Sequence, residues 1–279
     1  MENEAALFVG AVEVLRAAGC VFAEEEARLL VEAAGSEREL DGLVARRAAG
    51  EPLEPLLGWV EFCGRRIAID PGVFVPRRRT ELLAEHTLAE AERVRAERAS
   101  RLRPGTDGRT TGAAGVVVLE LCSGAGAVAA VVEAAGGFEV AAADVDPAAV
   151  ANARTNLADA ASVFEGDLYD ALPERLRGRL DVIAANAPYV PTEAIATMPP
   201  EARDHEKRVA LDGGADGLDV QRRVVAEAPR WLAAGGTLLI ESSERQAPST
   251  AGLMTASGFV AEIVRDEERD ATVVIGRAR

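Results

Sequence analysis

Residues 116–126 read VVVLELCSGAG, an apolar run that ends in a glycine-rich turn. A short apolar run bounded by a turn is typical of a strand buried inside a sheet. A second apolar stretch follows the turn and predicts a helix over residues 126–135. Glycine between a strand and a helix lets the backbone approach a ligand closely, so this turn is a candidate ligand site. Its candidate contacts are Cys122, Ser123, Gly124, Ala125 and Gly126.

Downstream of residue 115, strand and helix patterns alternate. The predicted strands cover 115–121, 138–144, 161–166, 180–185, 236–242, 258–265 and 271–277. The predicted helices cover 126–135, 147–158, 215–233 and 244–257. Such alternation gives a mostly parallel sheet with helices on both faces. We therefore predict an α/β fold, with a Rossmann-like, mostly parallel seven-stranded sheet, in a domain that spans residues 76–279.

The segment before this domain is organised differently. Apolar residues at helical spacing predict three helices, over 5–19, 23–34 and 37–48. They indicate a small helical domain over residues 1–50. Residues 51–75 are punctuated by proline and glycine and predict a β-hairpin linker. Another helix is predicted over residues 79–99, and the polar, glycine-rich residues 100–114 are predicted to form a mobile loop.

Composition restricts the possible partners. The 279 residues are 48% apolar and 28% charged, a normal globular mix. No apolar run approaches the roughly 18–20 residues of a membrane-spanning helix. The acidic N-terminus lacks the basic start of a signal peptide, so we expect a cytoplasmic enzyme.

The net charge of −15 disfavours nucleic acid as a partner, because nucleic acid requires a basic surface. The acidic excess suits a basic protein partner, or serves solubility alone.

The cysteines predict no metal site. Cys20, Cys63 and Cys122 lie far apart in the sequence, without the close spacing of metal ligands. We expect them to be structural thiols in a reducing compartment.

Two further strand ends carry acids that extend the candidate ligand site. Asp144 ends the second strand, where a carboxylate accepts hydrogen bonds from ribose hydroxyls. Asp146, followed by Pro147, already supplies the cap of the next helix, so Asp144 is expected to be free for a ligand. Asp167 and Leu168 follow the third strand, and Asp167 is placed to meet an adenine amino group.

A nicotinamide dinucleotide is the competing cofactor for such a turn. It fits less well, because Ala129 occupies the third small position and no second nucleotide-binding half follows. The sequence around Asn186 decides between the two and favours S-adenosylmethionine (SAM).

Residues 186–189, NAPY, follow the fourth strand, where open α/β sheets bind ligands. The side-chain oxygen of Asn186 and the carbonyl of Ala187 together accept both hydrogens of a planar NH2 group. Pro188 stiffens the loop, and Tyr189 supplies a flat wall. These four residues are the candidate catalytic residues, with Asn186 also next to the cofactor. An ordinary turn after a strand is the alternative interpretation.

This pocket predicts methyl transfer to an amide or amine nitrogen. Fixing both hydrogens points the nitrogen lone pair at the methyl group, and orientation alone contributes roughly 7–11 kcal/mol in favourable cases. The methylated nitrogen is very acidic, so its proton can leave late. We therefore expect no dedicated acid or base, and we expect His86 and His205 to lie outside the chemistry.

Several blocks of the chain resemble the protein-(glutamine-N5) methyltransferases, which modify peptide chain release factors or a ribosomal protein. They are residues 50–53 (GEPL), 57–58 (LG), 75–77 (VPR), 80–81 (TE), 120–126 (ELCSGAG), 186–191 (NAPYVP), 205–206 (HE) and 210–218 (ALDGGADGL). The resemblance implies a class I SAM-dependent methyltransferase fold, SAM as donor and S-adenosyl-L-homocysteine as product. It also implies that Asp144 binds ribose and that the helical domain grips a protein substrate.

The chain departs from the family pattern at three places. Ala187 stands where the family has the first proline of its Asn-Pro-Pro-Tyr loop. Arg78 and Arg79 stand where it usually has proline and an acid, and Lys207 replaces a proline. These departures concern the substrate side, so a different peptide or small-molecule amide or amine is the main competing acceptor. The sequence is also compatible with an adenine-N6 DNA methyltransferase or a non-catalytic SAM-binding module.

Overall fold

The computed structural model describes residues 2–101 and 115–279. The loop predicted over residues 100–114 lies outside the described residues, apart from its first two residues, which end a helix. The helices are α1 (Glu2–Ala17), α2 (Ala23–Ala33), α3 (Glu37–Ala48), α4 (Leu53–Leu57), α5 (Glu81–Arg101), α6 (Ala127–Ala135), α7 (Pro147–Asn156), α8 (Pro200–His205), α9 (Arg208–Leu211), α10 (Asp219–Trp231) and α11 (Ala247–Ala256). The strands are β1 (Trp59–Phe62), β2 (Arg65–Ala68), β3 (Val116–Leu121), β4 (Phe138–Asp144), β5 (Val163–Glu165), β6 (Leu180–Ala185), β7 (Leu232–Glu241), β8 (Phe259–Asp266) and β9 (Ala271–Ala278).

Within the described ranges, seven strands form the main sheet in the order β5-β4-β3-β6-β7-β9-β8. The pairs from β5 to β7 are parallel, and β9 runs antiparallel to both β7 and β8. This confirms the predicted mostly parallel, seven-stranded α/β fold. Because β3 and β6 are neighbours, the turn after β3 and the loop after β6 leave the same edge of the sheet side by side.

Helices cover both faces of the sheet, as predicted. One buried cluster packs α5, α6 and α7 against one face, together with the β1–β2 hairpin. A second cluster packs α10 and α11 against the other face. Strands β3 and β6 are buried along their whole length, which explains why their sequences are continuous apolar runs and do not alternate.

The N-terminal helices enclose a separate buried cluster that includes Leu15, Leu30 and Leu40. A buried ion pair between Arg47 of α3 and Glu26 of α2 (2.7 Å) links two of these helices. The β1–β2 hairpin follows and is antiparallel. The separate cluster is consistent with a helical unit over residues 1–50, and the exact boundaries at residues 50 and 75 stay predictions.

The hairpin is fixed to the main sheet through one helix. Asn156 of α7 accepts a hydrogen bond from the backbone N–H of Ala68 (2.8 Å), and its amide donates to the carbonyl of Ala125 in the turn after β3 (2.9 Å). The buried Asn152 donates to the carbonyl of Ala68 and accepts from the N–H of Asp70. Two amide side chains therefore tie the linker to the candidate ligand site.

Element boundaries differ from the predictions where glycines cluster. The helix predicted over 215–233 begins only at Asp219, because Gly213, Gly214 and Gly217 form a loop before it. Strand β7 begins at Leu232, four residues earlier than predicted, since Leu232 pairs with Leu180 before a bulge. The short helices α4, α8 and α9 were not predicted. No helix among the described residues is both long and apolar enough to cross a bilayer.

Candidate active site

A cavity of about 700 Å³ opens at the carboxyl ends of β3, β4 and β6. Its wall includes every predicted site residue except Gly126: Cys122, Ser123, Gly124, Ala125, Asp144, Asp167, Leu168, Asn186, Ala187, Pro188 and Tyr189. His86 and His205 do not line it. The structure thus brings residues from four separate strand ends to one space, as the parallel topology requires.

The turn after β3 depends on left-handed backbone at Gly124 (φ 52°) and Gly126 (φ 73°). Gly126 lies outside the cavity wall, and a Cβ there would approach the Cβ of Ala153 in α7 to 3.1 Å. Close packing against α7 and the left-handed backbone therefore both explain why residue 126 is a glycine. Cys122 adopts φ 54° without being glycine, and burial raises the pKa of its thiol far above its usual range.

Asp144 holds the turn in place. Its Oδ2 accepts a hydrogen bond from the backbone N–H of Gly124 (2.8 Å), and its Oδ1 accepts from the N–H of Asp146 (2.9 Å). Asp146 caps α7 through Ala148, as predicted, and also forms an ion pair with Lys207 (2.6 Å). Each oxygen of Asp144 thus already accepts one backbone hydrogen bond and keeps a second lone pair that a ligand can use, so its contact with ribose stays a prediction. Burial nevertheless raises the pKa of Asp144.

The loop after β5 contributes two further residues to the wall. Asp167 forms an ion pair with Arg223 of α10 (2.8 Å) and is about half exposed. Leu168 is buried and adopts φ 52°, an unusual conformation for a branched aliphatic side chain. The carboxylate of Asp167 is thus already paired with a cation at the cavity rim.

Glu120, the last residue but one of β3, lies buried beneath the turn. Its carboxylate accepts hydrogen bonds from the backbone N–H groups of Ala129 (2.8 Å) and Val128 (3.4 Å) in the first turn of α6. Burial raises the pKa of Glu120 to about 8, and the two backbone hydrogen bonds only partly offset this effect.

Replacing Glu120 with glutamine should make stability less dependent on pH. The carboxyl has a pKa of about 8 when folded against an ordinary 4.5, so between these values the folded state keeps a proton that the unfolded state has lost. The free energy of unfolding of the wild-type protein therefore falls as the pH rises from about 4.5 to about 8. Urea unfolding without cofactor across this window should show the Glu120→Gln variant gaining stability relative to wild type. A constant difference would contradict the raised pKa.

Asn186 lies at the tip of β6 with its side chain oriented by a neighbour. Its Nδ2 donates a hydrogen bond to Oγ1 of Thr80 (3.3 Å), and this leaves Oδ1 as the group that can accept from a ligand. Thr80 and Ala187 are both buried, whereas Tyr189 is half-buried. The hydroxyl of Tyr189 lies 3.5 Å from Oε1 of Glu241, at the carboxyl end of β7.

The structure adds an ion pair to this pocket whose acid, Glu241, sequence reasoning missed. Arg79 forms an ion pair with Glu241 (3.2 Å), and its guanidinium lies 6.0 Å from the centroid of the Tyr189 ring. Burial raises the pKa of Glu241, and hydrogen bonds from Thr80, Arg79 and Tyr189 oppose the shift. An acid that ends an apolar strand is the same signal that identified Asp144, and it would have identified Glu241.

A second ion pair, between Arg77 and Glu206, also lines the cavity. The carboxylate of Glu206 is almost fully buried, and its Oε2 has no hydrogen-bond partner among the described residues. Both residues belong to blocks that were noticed only through the family resemblance. Neither block has a periodic pattern that points to a site.

The loop that carries Tyr189 is backed by the glycine-rich residues 210–218. The backbone N–H of Val190 donates to the carbonyl of Leu211 (3.0 Å), and that of Gly213 donates to Val190 (2.9 Å). A Cβ on Gly217 would lie 2.2 Å from the carbonyl oxygen of Tyr189. The glycines therefore let two loops pack backbone against backbone.

Comparison with known proteins identifies a family and several relatives. The methyltransferase small domain family matches residues 110–200. The release factor glutamine methyltransferase of Geobacter sulfurreducens is 36% identical over 222 residues, which cover 78% of this chain and 70% of the relative. That of Deinococcus radiodurans is 38% identical over 227 residues, covering 80% and 73%.

A third relative has a different name. The 4-amino-L-phenylalanine/4-methylamino-L-phenylalanine methyltransferase of Streptomyces pristinaespiralis is 34% identical over 220 residues, covering 77% of this chain and 69% of the relative. Together these relatives confirm the predicted methyltransferase class and SAM as the methyl donor. With such identities over more than two thirds of each relative, the chain belongs to the release factor glutamine methyltransferase family.

Proposed function

We propose that this protein transfers a methyl group from SAM to the side-chain amide nitrogen, N5, of a glutamine in a peptide chain release factor. The observation that carries the proposal is the orientation of Asn186. Its Nδ2 is engaged by Thr80, so Oδ1 is the group that can accept an N–H of the acceptor amide. The names of the two release factor relatives support the same acceptor.

The donor side of the cavity fits SAM. A volume of about 700 Å³ lies within the range of roughly 300–1,000 Å³ typical of ligand pockets. The hydroxyl of Ser123 lines it, buried and without a hydrogen-bond partner among the described residues. We assign the turn of residues 122–126 and Ser123 to the amino-acid part of the donor, and Asp144 to the ribose. Asp167 and Leu168 are assigned to the adenine.

On the acceptor side, we assign Asn186 and the carbonyl of Ala187 to the two amide hydrogens of glutamine. SAM supplies an electrophilic methyl group on a positively charged sulfur. An amide nitrogen is a poor nucleophile, because its lone pair is delocalised into the carbonyl. Holding both N–H groups orients the nitrogen face toward the donor side, so rate acceleration comes mainly from positioning. Tyr189 and Pro188 restrict the plane of the amide from the other side.

No dedicated base is needed in this scheme. Once the nitrogen carries its new methyl group it is strongly acidic, and it releases its proton late to solvent water. Glu241 is the nearest buried acid to Tyr189, but its Oε1 is engaged by Arg79 and approached by the Tyr189 hydroxyl. We assign it to positioning Tyr189 and not to proton transfer.

The N-terminal helices are proposed to bind the protein acceptor. A second cavity of about 480 Å³ lies between the loop after α1, helix α2 and the start of α4. Arg77 and Glu206 line both cavities, so the two are adjacent. Val21 is 83% exposed and Phe22 64% exposed, and both line this second cavity. Two exposed apolar side chains next to the reaction cavity give a macromolecular acceptor a place to contact the protein.

The test is methylation of purified release factor by the purified protein with SAM, followed by mass spectrometry of its peptides. The expected result is one added methyl group on a single glutamine, absent when that glutamine is replaced by glutamate. A duplex DNA and 4-amino-L-phenylalanine serve as competing acceptors in parallel reactions. Methylation of either of these instead of the release factor would overturn the proposed acceptor. Donor binding without transfer to any acceptor would identify a non-catalytic module.

A further inference from the structure

Arg79 places a positive charge beside the proposed nitrogen pocket. It lies in the short 3-10 segment Arg78–Thr80, and its side chain is 40% exposed and lines the reaction cavity. The next residue, Thr80, accepts the hydrogen bond from Asn186. The ring of Tyr189 lies 6.0 Å from the Arg79 guanidinium. The cation therefore belongs to the acceptor end of the cavity.

The ion pair with Glu241 occupies only part of the guanidinium. The carboxylate of Glu241 is 1% exposed, and the hydrogen bond reaches it from Nε of Arg79. A guanidinium also carries N–H donors on both Nη groups, in a planar fork that matches a carboxylate. The anion of the pair is thus fully buried, whereas the cation, which also interacts with the Tyr189 hydroxyl, remains partly open to the cavity.

The positive charge of Arg79 attracts an anionic group on the acceptor. Its guanidinium does so with a preference for planar, bidentate partners such as a carboxylate.

We propose that Arg79 binds a carboxylate carried by the methyl acceptor and so determines which acceptors this protein selects. The inference rests on the proposed function for the position of the acceptor nitrogen. Two sources supply the same chemistry: the α-carboxylate of a free amino acid, or an acidic side chain beside the glutamine of a polypeptide. The experiment distinguishes them.

Binding is measured first, by calorimetry or NMR titration, on protein saturated with S-adenosyl-L-homocysteine. The free-acceptor probes are L-glutamine and 4-aminobutanamide, which has the same amide but lacks the carboxylate. The peptide probes are acetylated and amidated Ala-Gln-Asp-Ala and Ala-Gln-Asn-Ala. In at least one pair, the carboxylate-bearing member should bind about tenfold more tightly, as expected for a charge-assisted hydrogen bond. The pair that shows the preference identifies the source, and kcat/KM with SAM should follow the same order.

Variants at two adjacent arginines separate this role from a structural one. Arg79→Gln should remove the preference, and Arg79→Glu should reverse it. Arg79→Lys keeps the charge beside Glu241 but loses the planar fork of the guanidinium, so it should retain only part of the preference for the carboxylate. This conservative variant also serves as a control in case Arg79→Gln and Arg79→Glu misfold. Arg78→Gln is the matched control, because Arg78 is 69% exposed, pairs with Glu268 and does not line the cavity.

Two outcomes overturn the inference: neither probe pair shows a carboxylate preference, or a preference survives in Arg79→Gln. A different result would contradict the proposed function. If no glutamine acceptor is methylated although the Arg79-dependent preference is present, the acceptor proposal is wrong while the carboxylate site stands.

Discussion

Replacing Asn186 with alanine should reduce the rate of methyl transfer about a hundredfold or more, because the acceptor nitrogen loses the group that fixes its orientation. The side chain lies at the end of a fully buried strand and is held by Thr80, so its removal leaves the strand intact. We therefore expect the loss in kcat, with donor affinity close to that of wild type. Single-turnover methylation and equilibrium titration with SAM measure the two quantities separately.

A second substitution at the same position serves as the control. Asn186→Asp keeps an acceptor oxygen of the same size but loses the amide hydrogen that Thr80 accepts. Its activity should lie between those of wild type and Asn186→Ala. Wild-type turnover by the alanine variant would mean that the nitrogen pocket is assigned to the wrong loop.

The sequence revealed those site residues that follow directly after a buried strand. A buried parallel strand is a continuous apolar run, so the position where it stops is visible, and the next residues must lie at the ligand-binding edge. This reasoning found the turn after β3, Asp144, Asp167 and Asn186, all of which line the cavity. It did not reveal that Asp144 also holds the turn after β3, because hydrogen bonds to the backbone of its own loops leave no trace in a residue pattern.

The ion pairs of the site were not predicted, because most of their residues lie in segments without a regular apolar pattern. Arg79 and Glu241 are 162 residues apart and meet only because α5 packs on the sheet next to β7. Arg77 and Glu206 are 129 residues apart and lie in short irregular segments. A charged residue in a polar loop is ordinarily solvated, and only tertiary packing shows that its partner lies across a cavity. The role of residues 210–218 was equally hidden, because glycine in a sequence does not reveal which backbone approaches it.

The close approach of two backbones makes Gly217 a sensitive position outside the pocket itself. Its φ is 77°, and an added Cβ would lie 2.2 Å from the carbonyl oxygen of Tyr189 and 2.4 Å from Nε2 of Gln246. Gln246 donates from Nε2 to that same carbonyl (3.0 Å) and so fixes the loop. In Gly217→Ala the loop of Tyr189 must move by about 1 Å or more to relieve the contact, and a displacement of that size typically costs about a hundredfold in rate.

The matched control is Gly235→Ala, at φ 75° with no atom within 4 Å of the added Cβ. Both variants carry the left-handed backbone cost of roughly 1–2 kcal/mol, so their difference isolates the contacts with Tyr189 and Gln246. Urea unfolding should show a further loss of roughly 1–3 kcal/mol in Gly217→Ala alone. Turnover per folded molecule should fall only in that variant, while SAM affinity is unchanged in both, since the turn after β3 does not contact Gly217. Equal turnover in the two variants would show that the position of the Tyr189 loop does not control the reaction, and the orientation argument for the acceptor amide would then rest on Asn186 alone.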